Sequence, residues 1–301
     1  MSVTAKNLCR DEFFYGHKAC AGCGGSLAVR NALKVLGKNA VAVLPAGCMS
    51  AVGFNFPQLC FANNAIISTF AGTASMLTGI EAGFRARGIK DFTAVGFAGD
   101  GGTADIGIQA LSGAIDRNDN IIYICYDNEA YMNTGIQRSS ATPMYADTTT
   151  TPAGKVSQGK PQTRKDLAAI LAAHNIPYVG QTTFIGNMKD LYTKSERAIY
   201  TEGAAFLNVM APCPRGWRYD APDIIDVCKS AVETCYWPLF EVIDGKWILN
   251  YEPKKKLPIE DFLKRQGRFK HLFKPGNEEL IVAFQAEVDR RWEELLERCH
   301  A

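Results

Sequence analysis

Two sets of residues in this 301-residue chain have the types and spacing to do chemistry. The first is rich in oxygen: Gly99-Asp100-Gly101-Gly102, followed one supersecondary unit later by Asp127-Asn128. Glycines let the backbone approach phosphate oxygens and present N–H groups, and a helix N-terminus behind them adds partial positive charge. Asp100 offers a hard carboxylate oxygen and Asn128 a carbonyl oxygen, so two adjacent strand ends could hold one Mg²⁺ that keeps phosphate ligands. The triplet around Asp100 alone reads better as a glycine-rich turn with an Asp helix cap. Its pairing with the Asn128 turn is what points to a metal-held diphosphate. The second set is sulfur: Cys20 and Cys23 in a CxxC turn, Cys48 in Pro45-Ala-Gly-Cys48-Met49, and Cys213 in Ala211-Pro-Cys213-Pro. A glycine-rich CxxC turn lets two thiolates converge on one centre, as zinc ribbons and iron–sulfur sites require.

Regular elements must carry these residues to one place. The apolar runs Phe92 to Phe97 and Ile121 to Tyr126 predict buried strands, and the segment between them, after Thr103, predicts a helix with Ile106, Ile108, Leu111 and Ile115 on its apolar face. Strand, glycine turn, helix and strand form a βαβ unit, and open parallel sheets bind ligands beyond the carboxyl ends of their strands. Further strands are expected at Val41 to Leu44, Ala65 to Phe70, Tyr178 to Gln181 and Ala204 to Met210. Helices are expected from a Ser26 cap to Leu36, Thr73 to Arg87, Arg164 to Ala173 and Asn187 to Tyr200. The Thr73 helix is full of small residues that suit close packing against a sheet or a subunit. Gln137 to Gln162 is a long polar segment, expected to be an active-site flap or docking arm. Beyond Tyr236 the pattern changes to a hairpin around Asp244-Gly245, a solvated basic run Lys254-Lys255-Lys256, and a last helix with Leu280, Phe284, Val288, Trp292 and Leu295 on one face. The expected fold class is therefore α/β, a doubly wound, mostly parallel sheet with helices on both faces. The expected division is a ligand-binding α/β domain over 1–235 and a hairpin and helical extension over 236–301.

Composition narrows the function classes. With 47% apolar and 21% charged residues the chain has the makings of a full α/β core. A net charge of +2 gives no electrostatic case for nucleic acid or a membrane surface. The amino-terminal stretch from Met1 to Phe14 has no apolar signal region and no apolar run reaches a membrane span, so a cytoplasmic location is expected. Ten cysteines without a secretory signal favour metal or redox use over a disulfide framework. Cys125, Cys228, Cys235, Cys9 and Cys299 lie in strand, helix or terminal contexts that suit structural roles.

The motifs CAGCGG, GCM, GDG, DNEAYMNTG and APCPRGW, in this order, resemble the thiamine-diphosphate-binding β subunit of the 2-oxoacid:ferredoxin oxidoreductases, in particular pyruvate:ferredoxin oxidoreductase, also called pyruvate synthase. The resemblance spans about Phe13 to Phe273. It implies that Cys20, Cys23, Cys48 and Cys213 ligate one [4Fe–4S] cluster, and that Asp100, Asn128 and the main-chain carbonyl of Ala130 hold Mg²⁺. It implies a diphosphate against Gly99, Asp100, Gly101, Gly102 and the turn Asn128, Glu129, Ala130, Tyr131, Met132 and Asn133, with Gly25 and Cys48 also near the cofactor. Asn133 matches the position that reaches substrate. Gly25 stands where some relatives have a glutamate, so a side-chain contact to thiamine is absent there.

By the same resemblance, the reaction is thiamine-dependent oxidative decarboxylation of a small 2-oxoacid, with electrons passing to ferredoxin and the acyl group to coenzyme A. The partners would be α and γ/δ-type subunits, and the glutamate that activates the thiamine ring would come from the α subunit. Three alternatives stay open: a non-redox thiamine-dependent decarboxylase, a structural Cys₄ zinc subunit, and the same electron-transfer chemistry on oxalate or a branched or aryl 2-oxoacid.

Overall fold

Strands whose residues are apolar on both faces need cover on both sides, and that requirement shapes this molecule. Every residue of β1 (Ala40–Pro45), β6 (Ile122–Asp127), β7 (Tyr178–Thr182) and β8 (Ala205–Met210) is buried. The computed structural model describes residues 6–300, the side chains of Gln58 and Asn187 excepted, so the start of the amino-terminal stretch read above lies outside the described residues. The remaining strands are β2 (Phe54–Asn55) and β3 (Gln58–Leu59), which pair with each other, then β4 (Asn64–Ser68), β5 (Thr93–Gly99), β9 (Phe240–Ile243) and β10 (Lys246–Leu249). The helices are α1 (Gly24–Leu36), α2 (Cys48–Gly53), α3 (Thr73–Ala86), α4 (Ile108–Asp116), α5 (Leu167–Ala172), α6 (Lys189–Tyr200), α7 (Ile224–Glu233), α8 (Glu260–Leu263) and α9 (Glu278–His300).

The eight-stranded sheet runs β10-β9-β7-β8-β6-β5-β1-β4, and β7, β8, β6, β5, β1 and β4 are parallel. From β1 the chain moves outward to β4, then returns to β5 on the other side of β1 and continues toward β6. The crevice between β1 and β5 is therefore a topological switch point, where ligands of open α/β sheets bind. Register aligns the carboxyl ends: Gly99 pairs with Tyr126, and Asp127 with Met210. One apolar layer joins α1, α6 and α7 to the sheet, and a second joins α3, α4, α5 and α9 to its other face. This is the doubly wound arrangement expected.

Two local expectations change. The helix after Asp100 opens as a wide π-type turn, Gly101–Asp105, before α4 begins at Ile108. Gly107 packs so closely on Gly102 O that a Cβ would lie 2.0 Å from it. The wide turn shifts the helix phase, leaving Ile106 51% exposed while Leu111 and Ile115 stay buried. Ser26 does not cap α1: the helix starts at Gly24 behind an extended Cys23, and the Ser26 hydroxyl donates to Cys23 O at 2.8 Å.

The segment from Gln137 to Gln162 has only isolated bridges, yet Ser139, Thr142, Ala146 and Lys160 in it are buried. Its staple is the Lys160 ammonium, which donates to Ser140 O at 3.1 Å, to Thr163 O at 3.3 Å and to Thr142 O. At the other end, β9 and β10 turn through Asp244 and Gly245, both at positive φ as a two-residue hairpin requires, and β9 extends the sheet antiparallel to β7. Phe284, Val288 and Leu295 of α9 are buried, while Lys254 and Lys255 are exposed and Lys256 pairs with Asp289. On α3, a Cβ at Gly79 or Gly83 would meet nothing within 4 Å, so these small residues do not serve sheet packing. No helix among the described residues is long and apolar enough to cross a membrane.

Candidate functional site

The oxygen-bearing residues meet at the switch-point edge. Asp100 follows β5 and Asn128 follows β6, and both side chains are buried. The Asn128 amide oxygen lies 2.9 Å from Asp100 Oδ1 and 2.9 Å from the main-chain oxygen of Ala130. With an oxygen at that position, a hard cation would be needed to bring it against the other two acceptors. The competing arrangement is an amide turned over so that its NH₂ donates to both oxygens. Asp100 accepts from Asn128 N–H at 3.2 Å and from the Ser139 hydroxyl at 2.5 Å, and among the described residues no Lys or Arg forms an ion pair with it. Burial holds its carboxyl well above the usual carboxylate range, and the nearby Asp127 carboxylate pushes it further. A divalent ion would supply the positive charge that keeps it ionised.

Gly99, Gly101, Gly102, Asn128, Ala130, Tyr131, Met132 and Asn133 line one cleft, together with Gly47, Cys48, Phe70, Tyr126 and Thr134. Gly101 has no room for a side chain, because a Cβ would come within 2.6 Å of the Tyr131 ring. Three of the residues expected at the cofactor do not line this cleft: Asp100, which is fully buried behind it, Gly25 and Glu129. Gly25 lies in the first turn of α1, where a Cβ would meet Met49 Cε at 3.0 Å and the Tyr126 ring at 3.5 Å, so it backs these two residues. Glu129 is at φ +64° with its carboxylate turned inward to Arg268, Arg164 and Tyr236. Only its backbone is available to a ligand in the cleft.

The thiols gather on the same rim. Gly24 N–H donates to Pro212 O at 3.0 Å, and a Cβ on Gly24 would fall 2.5 Å from the Ala211 carbonyl carbon, so the Cys20–Cys23 turn lies flush on the Cys213 segment. The Tyr219 hydroxyl ties them, reaching Gly22 O at 2.9 Å and Pro212 O at 3.0 Å. Gly216 N–H donates to Cys213 Sγ at 3.4 Å, the kind of bond that stabilises a thiolate. Cys48, at the start of α2, has its thiol pushed up to about 12, first by burial and then by the charges that Cys213, Cys23, Asp100 and Cys20 would carry. Cys23 and Cys213 are raised by burial as well. Among the described residues, no three His, Cys, Asp or Glu side chains come close enough to share a single ion. Beside this turn, His17 stacks on Phe14 at 4.7 Å between centroids.

Sequence reasoning missed the residues that hold the Asn128 turn. The Trp217 indole N–H donates to Asn128 O at 2.8 Å, and the Arg164 guanidinium pairs with Asp127 at 2.6 Å. Burial raises the Asp127 carboxyl to about 6 despite that pair. Trp217 belongs to a motif the sequence displayed; Arg164, Tyr236 and Arg268 carry no local signal. A second cavity lies beneath α9, lined by Arg164, Gln181, Asn208, Tyr236 and Trp247, and it holds none of the expected site residues.

Residues 45–209 match the family described as thiamine pyrophosphate enzyme, C-terminal TPP binding domain. The chain is 46% identical over 280 residues to the pyruvate synthase subunit PorB of Methanothermobacter thermautotrophicus, an alignment covering 93% of this chain and 96% of that protein. It is 45% identical over 292 residues to the ketoisovalerate oxidoreductase subunit VorB of Pyrococcus horikoshii, covering 95% and 92%. Its fold matches a 2-oxoglutarate:ferredoxin oxidoreductase from Magnetococcus marinus with a TM-score of 0.58 at 20% identity, over 94% of this chain and 99% of that one, a likeness of fold alone. The chain therefore belongs to the thiamine-diphosphate-binding β subunits of the 2-oxoacid:ferredoxin oxidoreductases, enzymes that work with partner subunits.

Proposed function

We propose that this subunit binds thiamine diphosphate through one Mg²⁺, carries one [4Fe–4S] cluster, and serves the oxidative decarboxylation of a small 2-oxoacid, with pyruvate as the first choice. The observation that carries the reading is the Asn128 side-chain amide, 2.9 Å from both Asp100 Oδ1 and the Ala130 main-chain oxygen, at a cleft that Cys48 also lines. Asp100, Asn128 and the Ala130 carbonyl would hold the ion, and Cys20, Cys23, Cys48 and Cys213 the cluster. When bound, thiamine diphosphate supplies an electron sink for breaking the bond between a 2-oxo carbon and its carboxylate, and an iron–sulfur cluster accepts electrons singly.

The chain's own residues bind and orient. The glycines from Gly99 to Gly102 leave room for phosphate oxygens. Tyr131 and Phe70, 5.8 Å apart in an edge-on pair, wall the cleft against water. Asn133 presents an amide to the substrate side. Among the described residues no Asp or Glu side chain lines the cleft, and Glu129 is committed to its ion pairs; the group that activates the cofactor is assigned to the partner α subunit. Electrons would leave for ferredoxin, and coenzyme A would take the acyl group.

A branched 2-oxoacid is the second reading, favoured by 45% identity to a ketoisovalerate oxidoreductase subunit beside 46% to a pyruvate synthase subunit. Anaerobic co-purification with the native partner subunits, then metal analysis and a panel of pyruvate, 2-oxoisovalerate, 2-oxoglutarate and oxalate with and without coenzyme A, tests the proposal. It predicts about four iron and four sulfide per subunit and coenzyme A-dependent reduction of ferredoxin with pyruvate. About one zinc without sulfide, or full turnover without iron, overturns it; preference for 2-oxoisovalerate selects the second reading.

A further inference from the structure

The residue between Asn128 and Ala130 has a strained backbone. Glu129 is a non-glycine residue at φ +64° with a fully buried side chain, and such conformations persist only where the surroundings over-determine them. Here the left-handed residue brings the side chain before it and the carbonyl after it onto the same point, the oxygen triangle at Asp100. Its carboxylate is gripped on both oxygens. Tyr236 donates to Oε1 at 2.5 Å, Arg164 reaches Oε1 at 3.3 Å, and Arg268 donates to Oε2 at 2.5 Å.

Arg268 is placed to act twice. Its guanidinium is 2% exposed, is oriented by Gln266 Oε1 at 2.8 Å, and lies 3.9 Å from the Trp217 ring centroid. Trp217 in turn donates its indole N–H to Asn128 O at 2.8 Å. Arg268 thus holds the turn from the Glu129 side chain and, through Trp217, from the Asn128 carbonyl. Trp217, Tyr236 and Arg268 all lie beyond residues 45–209, the stretch that matches the thiamine-binding family.

We infer that Arg268 is a positioning residue for the divalent cation, clamping the Asn128–Ala130 turn in its cation-binding shape from the carboxyl-terminal part of the chain. This rests on the reading that the oxygen triangle binds a cation. Partners that orient metal ligands from behind change metal affinity by roughly 10- to 100-fold when removed, and Arg268 is assigned that effect. Lysine would keep the charge against Glu129 but lose the flat stack on Trp217 and the fork, so Arg268→Lys should fall between wild type and Arg268→Met.

The experiment uses the intact complex with its partner subunits, Mn²⁺ as the spectroscopically visible cation, and thiamine diphosphate present. Mn²⁺ affinity is read by electron paramagnetic resonance in wild type, Arg268→Met, Arg268→Lys, Trp217→Phe and Asp100→Asn, with iron content as the check on assembly. The expected result is a 10- to 100-fold weaker Mn²⁺ site in Arg268→Met, partial rescue by lysine, weakening in Trp217→Phe, unchanged iron, and turnover that recovers at saturating Mn²⁺. Wild-type affinity in Arg268→Met, alongside a weakened Asp100→Asn, overturns the clamp. Wild-type affinity in Asp100→Asn overturns the underlying cation reading instead. Should Arg268→Met fail to assemble, Arg268→Lys and Trp217→Phe decide: wild-type affinity in both is the overturning result.

Discussion

At the scale of single residues, the account turns on the proposal that Asp100, Asn128 and the Ala130 carbonyl hold one cation, the Asn128 amide lying 2.9 Å from both of the others. Asp100→Ala removes the only charged member of the triangle. It is expected to weaken Mg²⁺ and thiamine diphosphate together by at least about 100-fold, roughly 3 kcal/mol, when the assembled complex is titrated with each; equal affinity in the variant would remove Asp100 from the site. Asn133→Ala is a different kind of loss. An amide that meets only the reacting molecule should cost about 10²-fold in turnover and little in cofactor affinity, and a defect confined to cofactor binding contradicts that role. Asp100, Asn128 and Asn133 were legible in the sequence because each follows a recognisable apolar strand, which fixes the sheet edge where it must emerge. Arg164 and Arg268 were not. Their bonds to Glu129 span 35 and 139 residues, and only the topology brings such partners together. Glu129 shows the same gap from the other side, since the resemblance set it in the turn against the diphosphate and its left-handed backbone turned its side chain inward.

At the scale of elements, the segment from Gln137 to Gln162 works as a pinned wall. Its Ser139 hydroxyl bonds Asp100, its Thr142 hydroxyl bonds Glu129 O at 2.6 Å, and the Lys160 ammonium fastens its two ends. Lys160→Met takes the ammonium from three carbonyls, of which Ser140 O keeps the Lys165 N–H; this should cost about 1–3 kcal/mol and speed amide hydrogen exchange across the segment, and unchanged exchange would show that Lys160 is not the staple. A pH signature accompanies it. Burial lowers the Lys160 ammonium from 10.5 to about 8, so between those values the unfolded chain binds more protons than the folded one. Stability contributed by this group therefore rises with pH across that window, and Lys160→Met should flatten the slope in thermal unfolding scans. The sequence marked this segment as functional by its length and polarity but gave no sign of how it docks. The helix after Asp100 departs from its reading at Ile106 alone: the π-type first turn, with Gly107 against Gly102 O, points that side chain outward while Ile108, Leu111 and Ile115 face the core as read.

At the scale of the molecule, six parallel strands bring four separate strand ends and the CxxC turn to a single rim. That convergence was the most legible part of the architecture, because glycine, proline and asparagine clusters close each apolar run on the same side. The carboxyl-terminal part was legible as a hairpin and an amphipathic helix, whereas its contribution to the Asn128 turn was hidden in Arg268 and Tyr236. The central claim is that a cation-held diphosphate and a four-thiolate cluster share this rim. With Mn²⁺ in place of Mg²⁺ in the assembled complex, electron paramagnetic resonance before and after reduction of the iron–sulfur centre reads their proximity directly. The account predicts that reducing the cluster broadens the Mn²⁺ lines in wild type, and that Cys48→Ala abolishes the broadening while Mn²⁺ stays bound. Mn²⁺ lines identical in the oxidised and reduced states would contradict it.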